Sequence, residues 1–226
     1  HFDRSDVGTY RFKVAEVIPA DPADKLPGVT YDQKVHHVKI SVADALNGTL
    51  TVTTTIDDQP GTEVAFVNSY EADPGSLATT SFGLTKALEG RDWDSSDAFT
   101  FELTGIDGAP MPAGAVDGKA TANVNATDVS DGRASFDFGQ ISYAATGVYD
   151  YEVREVVPAD LRGVTYSTNV ARFRVTVTDS VAQGKLVATA HLTSGSATFV
   201  NTYHAELNYN AMGGLTITKT LEGTSA

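Results

Sequence analysis

The sequence predicts an all-β chain built from tandem immunoglobulin-like antiparallel β-sandwich domains. Three observations carry that expectation. Apolar residues recur with period two, as in Phe99, Phe101 and Leu103, or Phe173, Val175 and Val177. These runs are short and are separated by turn signals such as DGAP, SDGR and AQGK. The chain also repeats itself. TYRFKVAEVIPAD from residue 9 matches VYDYEVREVVPAD from residue 148, and GVTY at residue 28 recurs at residue 163. No apolar spacing supports a helix longer than about two turns.

The repeats set the expected domain order. Glu16 falls on Glu155, an offset of 155 − 16 = 139, and Asn68 falls on Asn201, an offset of 133. LTKALEG from residue 84 recurs as ITKTLEG from residue 217, with Lys86 on Lys219. Residues 1–72 therefore read as the C-terminal half of one repeat, 73–79 as a linker and 80–204 as a complete sandwich. Residues 205–212 read as a second linker, and 213–226 as the first strand of a following repeat. The joins EADPGSLATTS and HAELNYNAMGG carry the Gly, Pro and Ser expected between domains.

Composition narrows the function classes. Lys plus Arg is 16 and Asp plus Glu is 29, a net charge of −13, which opposes binding to nucleic acid or anionic lipid. No apolar run approaches the roughly 20 residues that span a bilayer as a helix. There is no cysteine, so disulfides, thiolate metal sites and thiol catalysis are excluded. Neither a signal peptide at His1 nor a sorting tail at Ala226 is recognisable, and a mature chain or a piece of a longer one is expected. The residue types resemble those of an exported β protein.

Strand phase then points three polar residue types into the core. Residues i, i+2 and i+4 share a face. In VYDYEVRE, Tyr149, Tyr151 and Val153 lead to Glu155, and in the first repeat Tyr10, Phe12 and Val14 lead to Glu16. Leu84 and Leu88 flank Lys86, with Thr85 and Ala87 facing away; Leu215, Ile217 and Leu221 share a face with Lys219. Asn201 lies between Phe199 and Tyr203, and Asn68 between Phe66 and Tyr70. A lone inward Lys commonly snorkels to the rim, and a lone Glu or Asn commonly satisfies a turn or strand end. Together, a Lys made neutral by burial is a nucleophile, a protonated Glu polarises a carbonyl and moves protons, and an Asn carboxamide is an electrophile. Such groups can form a Lys–Asn amide with loss of ammonia.

In these residues the chain resembles the streptococcal-type pilin isopeptide-linkage domains of Gram-positive major pilins and long surface adhesins. The motifs are TKALEGRDW (85–93), FTFELTG (99–105), FDFGQISY (136–143), GVYDYEVREVVP (147–158), GVTY (163–166), FRVTVTD (173–179) and ATFVNTY (197–203). The resemblance implies a self-formed isopeptide bond between Lys86 and Asn201, with Glu155 as the catalytic acid. It implies a structural stalk module of a cell-wall-attached, extracellular protein, not an enzyme beyond this single turnover. Its partners would be neighbouring repeats, with no cofactor and no metal.

One departure matters. The first repeat has Glu16 and Asn68 but no lysine strand of its own. Lys219 of another copy is the candidate to fill that place by strand addition, giving head-to-tail self-association. Glu102 is a rival acid, but its phase is outward beside Thr100 and Thr104. The acidic run DWDSSD (92–97) reads as an exposed turn and lacks the glycine and distal glutamate of an EF-hand loop. A rival function is a host-ligand-binding adhesin module using Trp93 and Tyr143; another is an inert spacer beside a catalytic domain.

Overall fold

The computed structural model describes residues 1–207, 212–220 and 222. The described chain is nearly all β, with only short 3-10 turns besides strands. It divides into two compact units. One holds His1–Ser76, Tyr143–Gly147 and Val177–Ala188; the other holds Leu77–Ser142, Val148–Thr176 and Thr189–Ala226.

The first unit carries a four-stranded antiparallel sheet made of Gly8–Ala15, Val35–Asp44, Leu50–Ile56 and Gln59–Pro60, in that order. A two-residue pair, Val29–Thr30 with Ser69–Tyr70, brings the GVTY turn beside the end of FVNSY. The strand Gly8–Ala15 is exposed along its whole length. Tyr10, Phe12 and Val14, expected on an inner face, remain 36%, 49% and 36% exposed. Alternation correctly separates an apolar from a polar side, but burial needs a second layer, and among the described residues none covers this strand.

The second unit is a two-layer sandwich. One sheet runs in the order Lys119–Asn125, Ala98–Gly105, Gly147–Val156, Val170–Ser180, Lys185–Ser194. The other sheet runs Val129–Ser130, Arg133–Ser135, Thr85–Glu89, Thr198–Tyr203, Val164–Thr165. Period-two side chains from both sheets fill the space between them. Phe101 stacks on Phe136 at 4.0 Å and meets Phe199 edge-on at 5.1 Å. Such aromatic pairs add specific geometry to a large buried apolar area.

Two details of the second sheet depart from the expectation. Its central pair is parallel: Thr85–Glu89 runs alongside Thr198–Tyr203, with Lys86 opposite Phe199 and Leu88 opposite Asn201. The other pairs with a defined register in this unit are antiparallel. Ala87, expected to face away, is buried. It sits mid-strand between Arg133 and Val200 on the flanking strands, and such neighbours readily cover a methyl group.

The strand expected over 213–226 is not formed in its described part. Residues 214–220 have no ladder partner, and Leu215 and Ile217 are 74% and 84% exposed. A strand alone leaves every backbone group without a ladder, so sequence pattern does not suffice to form it. Leu221 and Gly223–Ala226 lie outside the described residues.

Candidate functional site

Burial of polar groups is costly unless they are paired, so the buried polar residues identify the site. Among the described residues these are Thr79, Lys86, Glu155 and Asn201. Thr79 is satisfied locally: its hydroxyl donates to the Gly139 carbonyl and accepts from the Phe138 N–H. The other three converge from three strands.

Lys86 comes from Thr85–Glu89, with Leu84 and Leu88 also buried beside it. Asn201 lies two residues beyond Phe199, the ladder partner of Lys86, on the same face of the adjacent parallel strand. That offset is about 6.6 Å at ~3.3 Å per residue, within reach of a lysine side chain leaning along the strand. Glu155 comes from the facing sheet, where Gly147–Val156 aims Tyr151, Val153 and Glu155 inward. Lys86 and Asn201 are wholly buried, and the Glu155 side chain is too.

The Glu155 carboxyl bridges the other two groups. Lys86 Nζ lies 3.0 Å from Oε1 and donates to Oε2 at 3.1 Å. Asn201 Nδ2 donates to Oε1 at 2.7 Å. The far end of the carboxamide is also held, because the Ser167 backbone N–H donates to Asn201 Oδ1 at 2.8 Å. Aromatic rings close the pocket; the Phe99 ring centroid is 4.5 Å from Lys86 Nζ.

Electrostatics follow from dryness. Burial lowers the Lys86 amine to about 8, against the opposing pull of Glu155. Burial raises the Glu155 carboxyl, against Lys86 and the Asn201 hydrogen bond. Both shifts favour the neutral amine and the neutral acid.

A pH signature follows for Asn201→Ala, a chain that retains both ionisable groups and cannot crosslink. Between the ordinary carboxylate range and the raised Glu155 value, the folded state binds more protons than the unfolded, so stability falls as pH rises. Between about 8 and the ordinary lysine value the unfolded state binds more protons, so stability rises with pH. Urea unfolding across that range should show a minimum between the two windows. A monotonic profile would contradict the coupled pair.

The first unit holds a matching set without a lysine. Asn68 Nδ2 donates to Glu16 Oε1 at 2.8 Å, and the Asp32 backbone N–H donates to Asn68 Oδ1 at 2.7 Å. Glu16 Oε2 is buried with no hydrogen-bond partner. Lys219 is exposed and stands outside any buried polar cluster.

The remaining candidates go elsewhere. Glu102 pairs with Lys119 at 2.9 Å and accepts nothing from Lys86 or Asn201. The acidic turn is internally satisfied, with Asp97 taking two Arg91 contacts at 2.7 Å and Asp94 accepting from Ser96. No group of three metal-ligating side chains occurs among the described residues. Tyr143, weighed for a ligand-binding surface, is wholly buried, and Trp93 packs edge-on against Phe99 at 5.2 Å. A wholly buried ring is not available to a partner, which removes Tyr143 from that reading; Trp93 is only half-buried.

Sequence reasoning missed Ser167. Its contribution is a backbone N–H, which leaves no side-chain signature; the signal available is position, directly after the repeated GVTY.

The chain falls in the class of two-layer β-sandwiches that bury a Lys, a Glu and an Asn between their sheets. The chain is a member of the Spy0128-like isopeptide containing domain family, FctA, whose profile matches residues 1–71 and 82–204. Among solved structures it is similar to the major pilin from Streptococcus pyogenes, at 20% identity over 89% of this chain and 74% of that one, with a TM-score of 0.25. A single-site mutant of that pilin aligns at 21% identity over 89% and 74% of the two chains, TM-score 0.26. A major pilin protein from a Streptococcus pyogenes serotype aligns at 16% identity over 89% and 68%, TM-score 0.26. No curated protein matches the chain.

Proposed function

We propose that this chain is a structural stalk module of a Gram-positive surface pilin or adhesin, strengthened by a self-formed amide between Lys86 and Asn201. One observation carries the reading: a buried carboxyl, Glu155, is hydrogen-bonded at once to the amine of Lys86 and the carboxamide nitrogen of Asn201. The neutral amine attacks Asn201 Cγ, a Cγ–Nζ bond forms, and the Cγ–Nδ2 bond breaks. One proton passes from Nζ to Nδ2, and ammonia leaves. Glu155 ends as it began, so the chemistry needs no cofactor, and it happens once per domain. The low-dielectric pocket shifts the amine toward its neutral, nucleophilic form and excludes competing water. Its partners are neighbouring repeats on the cell surface. Intact mass tests the reading: the wild-type chain should be lighter than its sequence by one ammonia, and Lys86→Ala should not.

A second reading concerns the first unit, and the unpartnered Glu16 Oε2 favours it. The corresponding second-unit carboxyl, Glu155, contacts the amine of Lys86. The segment around Lys219, with exposed Leu215 and Ile217 on the lysine's side, supplies that group from another copy. Denaturing gels of concentrated chain should show covalent dimers and longer ladders, lost in Lys219→Ala. A wild-type chain that runs only as a monomer contradicts this second reading and leaves the first intact.

A further inference from the structure

We propose that the Ser167 backbone N–H is the oxyanion donor for amide formation at Asn201, so that Glu155 serves the two nitrogens rather than the carbonyl oxygen. This rests on the Lys86–Asn201 bond proposed above. The orientation of the carboxamide decides the matter. A backbone N–H only donates, so the Asn201 atom 2.8 Å from it must be the oxygen. The NH2 end then faces Glu155, at 2.7 Å. Attack on Cγ drives negative charge onto Oδ1, where a donor already stands within hydrogen-bond distance. Glu155 touches the attacking nitrogen and the leaving nitrogen, at 3.1 Å and 2.7 Å. It can take the proton from Nζ and hand it to Nδ2. Atoms and charge balance with the carboxyl unchanged.

The scaffold, not the lysine, builds this orientation. In the first unit the Asp32 N–H donates to Asn68 Oδ1 at 2.7 Å, and Asn68 Nδ2 faces Glu16 at 2.8 Å. Among the described residues no lysine contacts that pair, yet the carboxamide points the same way. Asp32 and Ser167 each follow GVTY, and each side chain accepts from the backbone N–H two residues on, at 2.9 Å and 3.3 Å, a shared turn that leaves its own N–H free to face the asparagine. The segment after Ser167 is anchored to the approach of the Asn201 strand: Asn169 donates to the Ser196 carbonyl at 2.7 Å and accepts from the Ser196 N–H at 3.0 Å. A donor held this way needs no reorganisation when charge develops.

The test replaces one atom. Cell-free synthesis of the whole chain with lactic acid at position 167 exchanges the N–H for an ester oxygen; Ser167→Ala is the matched control that keeps the N–H. Intact mass is followed over time after synthesis. The ester should lose ammonia about 10²-fold more slowly than Ser167→Ala, the effect of deleting one oxyanion donor. The two rates are compared at their pH maxima, because the Ser167 N–H also holds the Glu155 carboxyl down and its loss moves the profile to higher pH. An ester as fast as the control overturns the proposal. A wild-type chain that never loses ammonia overturns the crosslink itself. Should the ester fail to fold, amide exchange in Lys86→Met decides: the Ser167 proton should be protected, and a freely exchanging one overturns the proposal.

Discussion

Lys86→Met should cost the second unit on the order of 4 to 5 kcal/mol of stability. The loop closed between residues 86 and 201 spans 201 − 86 = 115 residues. By analogy with a disulfide, closing a loop of about that length restricts the unfolded chain by roughly this amount. Methionine replaces the lysine stem at similar volume, and burial favours the neutral form of the Glu155 left beside it, which keeps its Asn201 hydrogen bond. Glu155→Ala should be worse. It also prevents the bond, and it strands Lys86 in the pocket without its partner, a change of about 3 to 5 kcal/mol in comparable buried pairs. The expected order of melting temperature is wild type, then Lys86→Met, then Glu155→Ala, with the first step roughly 10 to 30 °C. Calorimetry checks it. A Lys86→Met chain within about 1 kcal/mol of wild type would contradict a crosslink.

The second large effect is mechanical. The Lys86 and Asn201 strands are adjacent and parallel, in the register Lys86 to Phe199. Tension entering before Thr85 and leaving after Tyr203 shears that pair. With an amide in place the load crosses from Lys86 to Asn201, and the 115 residues between them carry none. Without it the whole sandwich unravels. Single-molecule pulling should therefore show a step of roughly 390 Å in Lys86→Met that the wild type lacks, from about 3.4 Å per residue. Equal steps would show that the intervening residues unfold in both chains. A chain without a single cysteine has no disulfide to serve the same purpose.

Much of this was legible in the sequence because a strand's period leaves few choices. A lysine flanked by Leu84 and Leu88 at i−2 and i+2 goes where they go, and all three are buried. The same holds for Glu155 behind Tyr151 and Val153. Period two is silent on strand direction, so the parallel pairing of the lysine and asparagine strands was not legible. It is silent on layers too: Tyr10, Phe12 and Val14 alternate like core residues and stand exposed, because alternation marks a face and not what covers it. The Ser167 N–H had no signature, since any residue except proline supplies one. The burial of Tyr143 followed the apolar pattern of its own strand, which a search for exposed aromatics overlooks.

The central claim is a covalent bond, and intact mass measured under denaturing conditions tests it most directly. The wild-type chain should weigh one ammonia less than its sequence, with Lys86→Met and Glu155→Ala at their full sequence masses. Peptide mapping should recover the segment holding Lys86 joined to the segment holding Asn201. A wild-type chain at its full sequence mass would contradict the bond.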